Sequence, residues 1–122
     1  MTYCLAIKVQ QGLVFCADSR TNAGPDQVST YSKMHRFPLL ADRRMVLLSA
    51  GNLATSQAVV AQLNRDIDDP EAETSLNTVR YISDAADYVG RLSLAEQQKY
   101  TSGGPGAGFN AEATFILGGQ VR

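Results

Sequence analysis

Apolar and polar residues alternate from the start of the chain, with Tyr3, Leu5, Ile7 and Val9 set against Cys4, Ala6 and Lys8. A period of two predicts a strand. Gln10, Gln11 and Gly12 interrupt it, and alternation resumes over residues 13–20, with Leu13, Phe15 and Ala17 against Val14, Cys16 and Asp18. The two runs predict a hairpin. A three-residue loop pairs residue 9 with 13, 7 with 15 and 5 with 17, which gathers Tyr3, Leu5, Ile7, Val9, Leu13 and Phe15 on one face. A slip of one residue would scatter them, so the pattern selects this register, and Gly12 suits such a loop. The same register puts Thr2, Cys4, Cys16, Asp18 and Arg20 together on the other face.

Residues 21–26, Thr-Asn-Ala-Gly-Pro-Asp, carry a loop signature. A short strand is predicted over 28–31, then a hairpin of 35–41 and 45–49 turning at Asp42 and Arg43. The near-continuous apolar run Met45-Val-Leu-Leu48 predicts a strand covered on both faces. Asn52 is placed to cap a helix whose apolar residues Leu53, Val59, Val60, Leu63 and Ile67 recur at helical spacing. Asp is unfavourable at a helix C-terminus, so the acidic cluster after Arg65 predicts a stop near Asp66. A second helix is predicted from about Ser75, with Leu76, Val79, Ile82, Ala86, Val89 and Leu92 on one stripe. Gly90 and the Ser93/Glu96 capping box leave open one kinked helix or two. A Gly-rich loop over 101–108 leads to a last strand over 113–117, turned by Gly118 and Gly119. Strands, two helices and a strand predict an α+β fold, with helices packed on one face of a sheet.

Composition narrows the function. The chain has 122 residues, enough for one domain. Eleven Lys and Arg against twelve Asp and Glu give a net charge of −1, which argues against a nucleic-acid partner and a polybasic membrane segment. No apolar run reaches the length of a membrane span. Two cysteines are too few for a disulfide scaffold or a thiolate metal site, so the expected compartment is the cytoplasm. The single histidine, His35, reads as structural.

The chemistry begins at Thr2. A small residue there allows Met1 to be removed, leaving one residue with both a hydroxyl and a free α-amine. An α-amine has an ordinary pKa of about 7.7–8.0, so it can serve as the base for its own hydroxyl. A nearby cation such as Lys33 would favour the neutral amine, and Asp18 could hold the ammonium form.

Thr2-Tyr-Cys-Leu-Ala-Ile-Lys8, then Gly12-Leu-Val-Phe-Cys-Ala-Asp18-Ser-Arg20-Thr-Asn-Ala-Gly24, Lys33 and Leu48-Ser-Ala-Gly51 together resemble the catalytic β-subunits of proteasome-type peptidases. Within them the resemblance is nearest to the bacterial ancestral-beta-subunit branch. It implies a four-layer αββα sandwich of the N-terminal nucleophile hydrolase type, here its N-terminal half. It also implies that Thr2 is nucleophile and base, tuned by Asp18 and Lys33, with Ser19 and Arg20 supporting the site. The Gly51 amide would serve as oxyanion donor. Thr21 and Asn22 would bind the peptide, and Leu53 would wall the specificity pocket. No metal or organic cofactor is implied. The implied partners are a peptide or unfolded-protein substrate and further copies in a homo-oligomer, with any ATPase partner left unidentified.

Family members continue past the strand at which this chain stops, and their later part supplies a Ser and an Asp around the nucleophile. A single hydrolase domain truncated at its C-terminal end is therefore expected. The alternatives are a catalytically inactive or truncated assembly subunit, and an N-terminal nucleophile hydrolase acting on a non-peptide amide.

Overall fold

A computed structural model describes residues 2–22, 28–30, 32–101 and 110–122, with backbone alone for 20–22, 28–30, 100 and 101. The order of elements is β1 (Cys4–Val9), β2 (Gly12–Ala17), β3 (Arg20–Asn22), β4 (Val28–Thr30), β5 (Met34–Arg36), β6 (Arg43–Gly51), α1 (Leu53–Asp68), α2 (Ile82–Thr101) and β7 (Ala113–Val121). β1 pairs with β2, β3 with β4, and β6 lies between β5 and β7, all antiparallel. The described chain is thus α+β, with two helices and small sheets. The Gly-rich loop predicted over 101–108 lies outside the described residues from 102 on, while Thr101 ends α2, and Tyr31 of the short strand predicted over 28–31 also lies outside them.

The first hairpin corrects the predicted register. Val9 pairs with Gly12, Ile7 with Val14 and Leu5 with Cys16, so the loop is the two residues Gln10 and Gln11. Lys8, Ala6 and Cys4 then share a face with Leu13, Phe15 and Ala17, while Leu5, Ile7 and Val9 share the other with Val14 and Cys16. Cys4 and Cys16 therefore lie on opposite faces. The expectation of a single apolar face fails because Phe15 fills the space between this hairpin and the β6–β7 sheet. A Cβ on Gly118 would come within 2.6 Å of the Phe15 ring. Opposite Phe15 stands the small Ala6, so the packing depends on one large ring between small neighbours. The outward face keeps Leu5, Ile7, Val9 and Val14 exposed.

β5 is shorter than predicted and ends before Pro38, which has no N–H to give to a ladder. The turn follows at Ala41–Asp42, closed by the Arg43 N–H on the Leu40 carbonyl at 3.1 Å. Leu47 and Leu48 are neighbours on opposite faces of β6, and both are fully buried, so this strand is covered on both sides. β7 runs through Gly118 and Gly119 to Val121 and does not turn there. At both positions the lack of a Cβ relieves crowding: Gly118 faces Phe15, and Gly119 faces the Arg44 carbonyl.

Asn52 caps α1, its Oδ1 accepting the Thr55 N–H at 3.0 Å. The helix passes the predicted stop at Asp66 and ends at Asp68. Asp66 is compensated by hydrogen bonding, since its carboxylate accepts the Tyr88 hydroxyl from α2 and the Gln62 amide one turn earlier on α1. α2 begins seven residues later than predicted, at Ile82, and is one continuous helix through Gly90. Ser93 does not cap a new helix; its hydroxyl accepts the Gln97 amide at 3.0 Å. The late start has a distant cause. Arg43, 9% exposed, donates from Nη1 to the carbonyls of Leu76 and Val79 at 2.9 and 2.7 Å. Carbonyls held by a guanidinium are not offered to a continuing helical ladder. Met45 and Leu47 of β6 pack with Val59 and Leu63 of α1 and with Leu76, Val79, Ala85, Tyr88 and Val89 to form the core.

Replacing Arg43 by Met strands those two carbonyls. At about 1–3 kcal/mol for an unsatisfied buried group, Arg43→Met is expected to lose at least about 2 kcal/mol of stability. A urea titration reads this as a lower midpoint at unchanged slope.

Candidate functional site

Three segments meet at the N-terminal end of β1. Asp18 lies just past the end of β2, where its N–H donates to the Tyr3 carbonyl at 3.1 Å. Its Oδ1 accepts the Tyr3 N–H at 2.6 Å. The carboxylate thus clamps the start of the chain from beyond the strand, and does not reach Thr2 through a shared strand face as the predicted register had it. Lys33 precedes β5, and its carbonyl accepts the Ser49 N–H of β6 at 2.9 Å. The Ser32 hydroxyl donates to the Met34 carbonyl at 2.9 Å across the same bend. From there the Lys33 ammonium donates to Asp18 Oδ2 at 2.8 Å and to Thr2 Oγ1 at 3.1 Å.

The Lys33 residue is only 7% exposed. A cation so placed needs a charged or strongly polar partner, because water supplies little of its solvation. Asp18 provides the charge, and Thr2 Oγ1 takes another of the three N–H donors. The arrangement points a fixed positive charge at the hydroxyl oxygen, where it would favour negative charge developing on that atom.

The other predicted site residues are placed as follows. Gly51 ends β6 opposite Ala113 with φ of 94°, and a Cβ there would meet the Glu112 carbonyl oxygen at 2.6 Å. Only glycine suits that backbone. Leu53 opens α1 and is 37% exposed. Ser19 is exposed between β2 and β3. Arg20, Thr21 and Asn22 form β3, and their side chains lie outside the described residues.

Ser49, which sequence reasoning passed over, stands between these parts. It is 2% exposed. Its N–H holds Lys33, its carbonyl lies 3.6 Å from the Cys4 thiol, and its hydroxyl is 3.3 Å from His35 Nε2. A polar residue at the end of an otherwise apolar central strand was the available signal, since a buried hydroxyl must find a partner. Burial lowers the His35 pKa below its ordinary value. Burial, and then the Asp18 charge, raise the Cys4 thiol pKa, partly offset by Lys33. Among the described residues no group of three or more His, Cys, Asp or Glu could hold a metal ion, and no helix is long and apolar enough to cross a membrane.

No protein-family model matches the chain, and no curated protein matches it. Solved structures do. A helical assembly of the Anbu complex from Pseudomonas aeruginosa is 34% identical, with a TM-score of 0.88, over 99% of this chain and 48% of that one. Anbu, the ancestral beta-subunit, from Yersinia bercovieri is 38% identical, with a TM-score of 0.84, over 100% of this chain and 48% of that one. An Anbu (Gly-1) mutant from Hyphomicrobium sp. strain MC1 is also 38% identical, with a TM-score of 0.83 and the same coverage. The chain is a structural relative of these ancestral beta-subunit proteins and spans about half their length. This corrects the resemblance to catalytic β-subunits of proteasome-type peptidases. The matched proteins are named as ancestral beta-subunits, and their names state no peptidase activity.

Two outcomes follow from the local electrostatics. Cys16 is exposed whereas the Cys4 thiol is partly covered and held protonated, so a maleimide on the native protein is expected to modify Cys16 first, as read by peptide mapping. His35 resists protonation in the folded state, while the unfolded chain takes up that proton near the ordinary value of 6.5. Its contribution to stability is therefore intact above about pH 6.5 and falls as the pH drops toward the folded pKa. Urea midpoints at pH 8 and pH 5.5 should differ less in His35→Gln than in the parent.

Proposed function

We propose that the chain carries the nucleophile half of an N-terminal threonine hydrolase that cuts peptide bonds. The observation that supports this is the Lys33 ammonium held between Asp18 Oδ2 at 2.8 Å and Thr2 Oγ1 at 3.1 Å. With Met1 removed, the Thr2 α-amine takes the hydroxyl proton, directly or through one water. Oγ1 attacks the carbonyl carbon of the scissile bond, and the Lys33 charge stabilises the oxygen as it becomes an alkoxide-like nucleophile. The tetrahedral oxyanion faces the Gly51 amide. Collapse breaks the C–N bond, the α-ammonium returns its proton to the leaving amine, and an ester on Thr2 remains. Water, activated by the same amine, hydrolyses it.

In this reading Thr21 and Asn22 of β3 pair with the substrate backbone, and Leu53 borders its side-chain pocket. Ser19 and Arg20 support the Asp18 bend. The described α+β unit is the N-terminal half of an αββα sandwich, working in the cytoplasm as part of a homo-oligomer. The helical assembly of the Pseudomonas aeruginosa relative supports the oligomer. An assembly subunit without catalysis is the alternative, and it would keep the Lys33–Asp18 pair while leaving Thr2 inert.

A β-lactone probe separates the two. The protein, shown by intact mass to lack Met1, is expected to be labelled at Thr2. Thr2→Ala should abolish labelling, and Lys33→Ala should slow it by about 10²–10³-fold, the usual effect of removing one preorganised electrostatic group. Labelling at another residue, or none on the processed protein, would refute the hydrolase.

A further inference from the structure

Thr2 and Lys33 belong to different sheets. Thr2 leads into β1 of the first hairpin, and Lys33 leads into β5, which pairs with β6. Nothing in either sheet alone sets the distance between Oγ1 and Nζ. Asp18 joins them from the first hairpin, and the buried Ser49 joins them from β6. The Ser49 carbonyl takes the thiol of Cys4, two residues after Thr2, at 3.6 Å. Its N–H donates to the carbonyl of Lys33 itself at 2.9 Å. Both contacts use the Ser49 main chain, so what holds its side chain bears on both. That side chain is 2% exposed, and its hydroxyl lies 3.3 Å from His35 Nε2. His35 lies on β5 two residues beyond Lys33 and opposite Leu47, so the bond crosses the β5–β6 ladder diagonally at the level of Lys33.

We propose that Ser49 and His35 are positioning residues, whose side-chain hydrogen bond locks the β5–β6 junction and thereby holds the Lys33 ammonium on Thr2 Oγ1. The function assigned to them rests on the threonine-hydrolase reading above, whereas the geometric lock does not. The neutral imidazole favoured by burial at this position can accept the Ser49 hydroxyl proton at Nε2 and carry its own proton on Nδ1. Neither residue touches the reacting atoms. The effect of losing the bond is a drift of Nζ relative to Oγ1, and misplacement by about 1 Å can cost about a hundredfold in rate.

The lock is tested on the full processed chain with two readouts. The first is the rate of Thr2 acylation by the β-lactone, divided into inactivation rate and probe affinity. His35→Ala and Ser49→Ala are each expected to lower the inactivation rate about tenfold or more at unchanged affinity. The double variant should lose no more than either single one. His35→Gln, whose amide can still meet the Ser49 hydroxyl, should recover most of the rate. The second readout is the side-chain ammonium signal of Lys33 in ¹⁵N-lysine NMR. It should be protected from water exchange in the parent and in His35→Gln, and lost in His35→Ala and Ser49→Ala. If the parent does not acylate at all, the hydrolase reading fails and the ammonium signal alone decides the lock. If His35→Ala does not fold, Ser49→Ala, which removes one hydroxyl, carries the test. Parental rates with an unchanged Lys33 signal, additive losses, or no rescue by His35→Gln would each overturn the proposal.

Discussion

A lysine ammonium nearly withdrawn from water is the constraint around which the described structure is arranged. Lys33 is 7% exposed, and its charge is compensated by an ion pair with Asp18 at 2.8 Å. The pair is a poor device for stability alone, because an apolar pair of similar size would often serve as well or better. Once present, it cannot be half removed without stranding a charge. A second of the three Lys33 N–H donors is directed at Thr2 Oγ1 at 3.1 Å. Asp18 is tied in turn to the chain start through both the N–H and the carbonyl of Tyr3. Three residues from two different hairpins, Thr2 and Asp18 at the open end of the first and Lys33 at the start of β5, must therefore be held together.

The packing explains how that is achieved. β6 is covered on both faces, with Leu47 and Leu48 fully buried, and Ser49 follows them within the strand on the way to the site. The first hairpin is seated on the β6–β7 sheet by Phe15, and Gly118 leaves the room that the ring occupies. The helices fix the other face of β6 through Met45, Leu47, Val59 and Leu63. Rigidity at the site is thus borrowed from a strand that contributes no reacting atom.

These causes also decide what could be read from the amino-acid sequence. The cap at Asn52 and the stripe of α1 are local, and they are legible because a helix satisfies its own backbone. The start of α2 is not local. The stripe from Leu76 looks helical, but Arg43, more than thirty positions earlier, takes the carbonyls of Leu76 and Val79. Gly118 and Gly119 look like a turn, whereas they mark crowding inside a strand. The hairpin register misled for a related reason. It rewarded placing every large residue on one face, but the sheet-to-sheet space admits Phe15 opposite Ala6 and leaves Leu5, Ile7 and Val9 outside. At the site, Thr2, Asp18 and Lys33 could be named from a motif. The position of Lys33 could not be derived, since it depends on the Ser49 N–H of a different strand.

The proton in the proposed reaction can be traced by asking which groups near Thr2 are already committed. Asp18 accepts the Tyr3 N–H at Oδ1 and the Lys33 ammonium at Oδ2. Both of its oxygens are thus engaged by donors. Lys33 donates to Thr2 Oγ1 at 3.1 Å, and in the proposed reaction its charge stabilises that oxygen. His35, the one imidazole in the chain, lies 3.3 Å from the Ser49 hydroxyl through Nε2. In the proposed reaction the base is the main-chain nitrogen of Thr2, an amine once Met1 is removed and bonded to the same Cα as the side chain. A base held by covalent geometry needs no further residue to position it, which is why the surrounding structure can be devoted to orienting one cation.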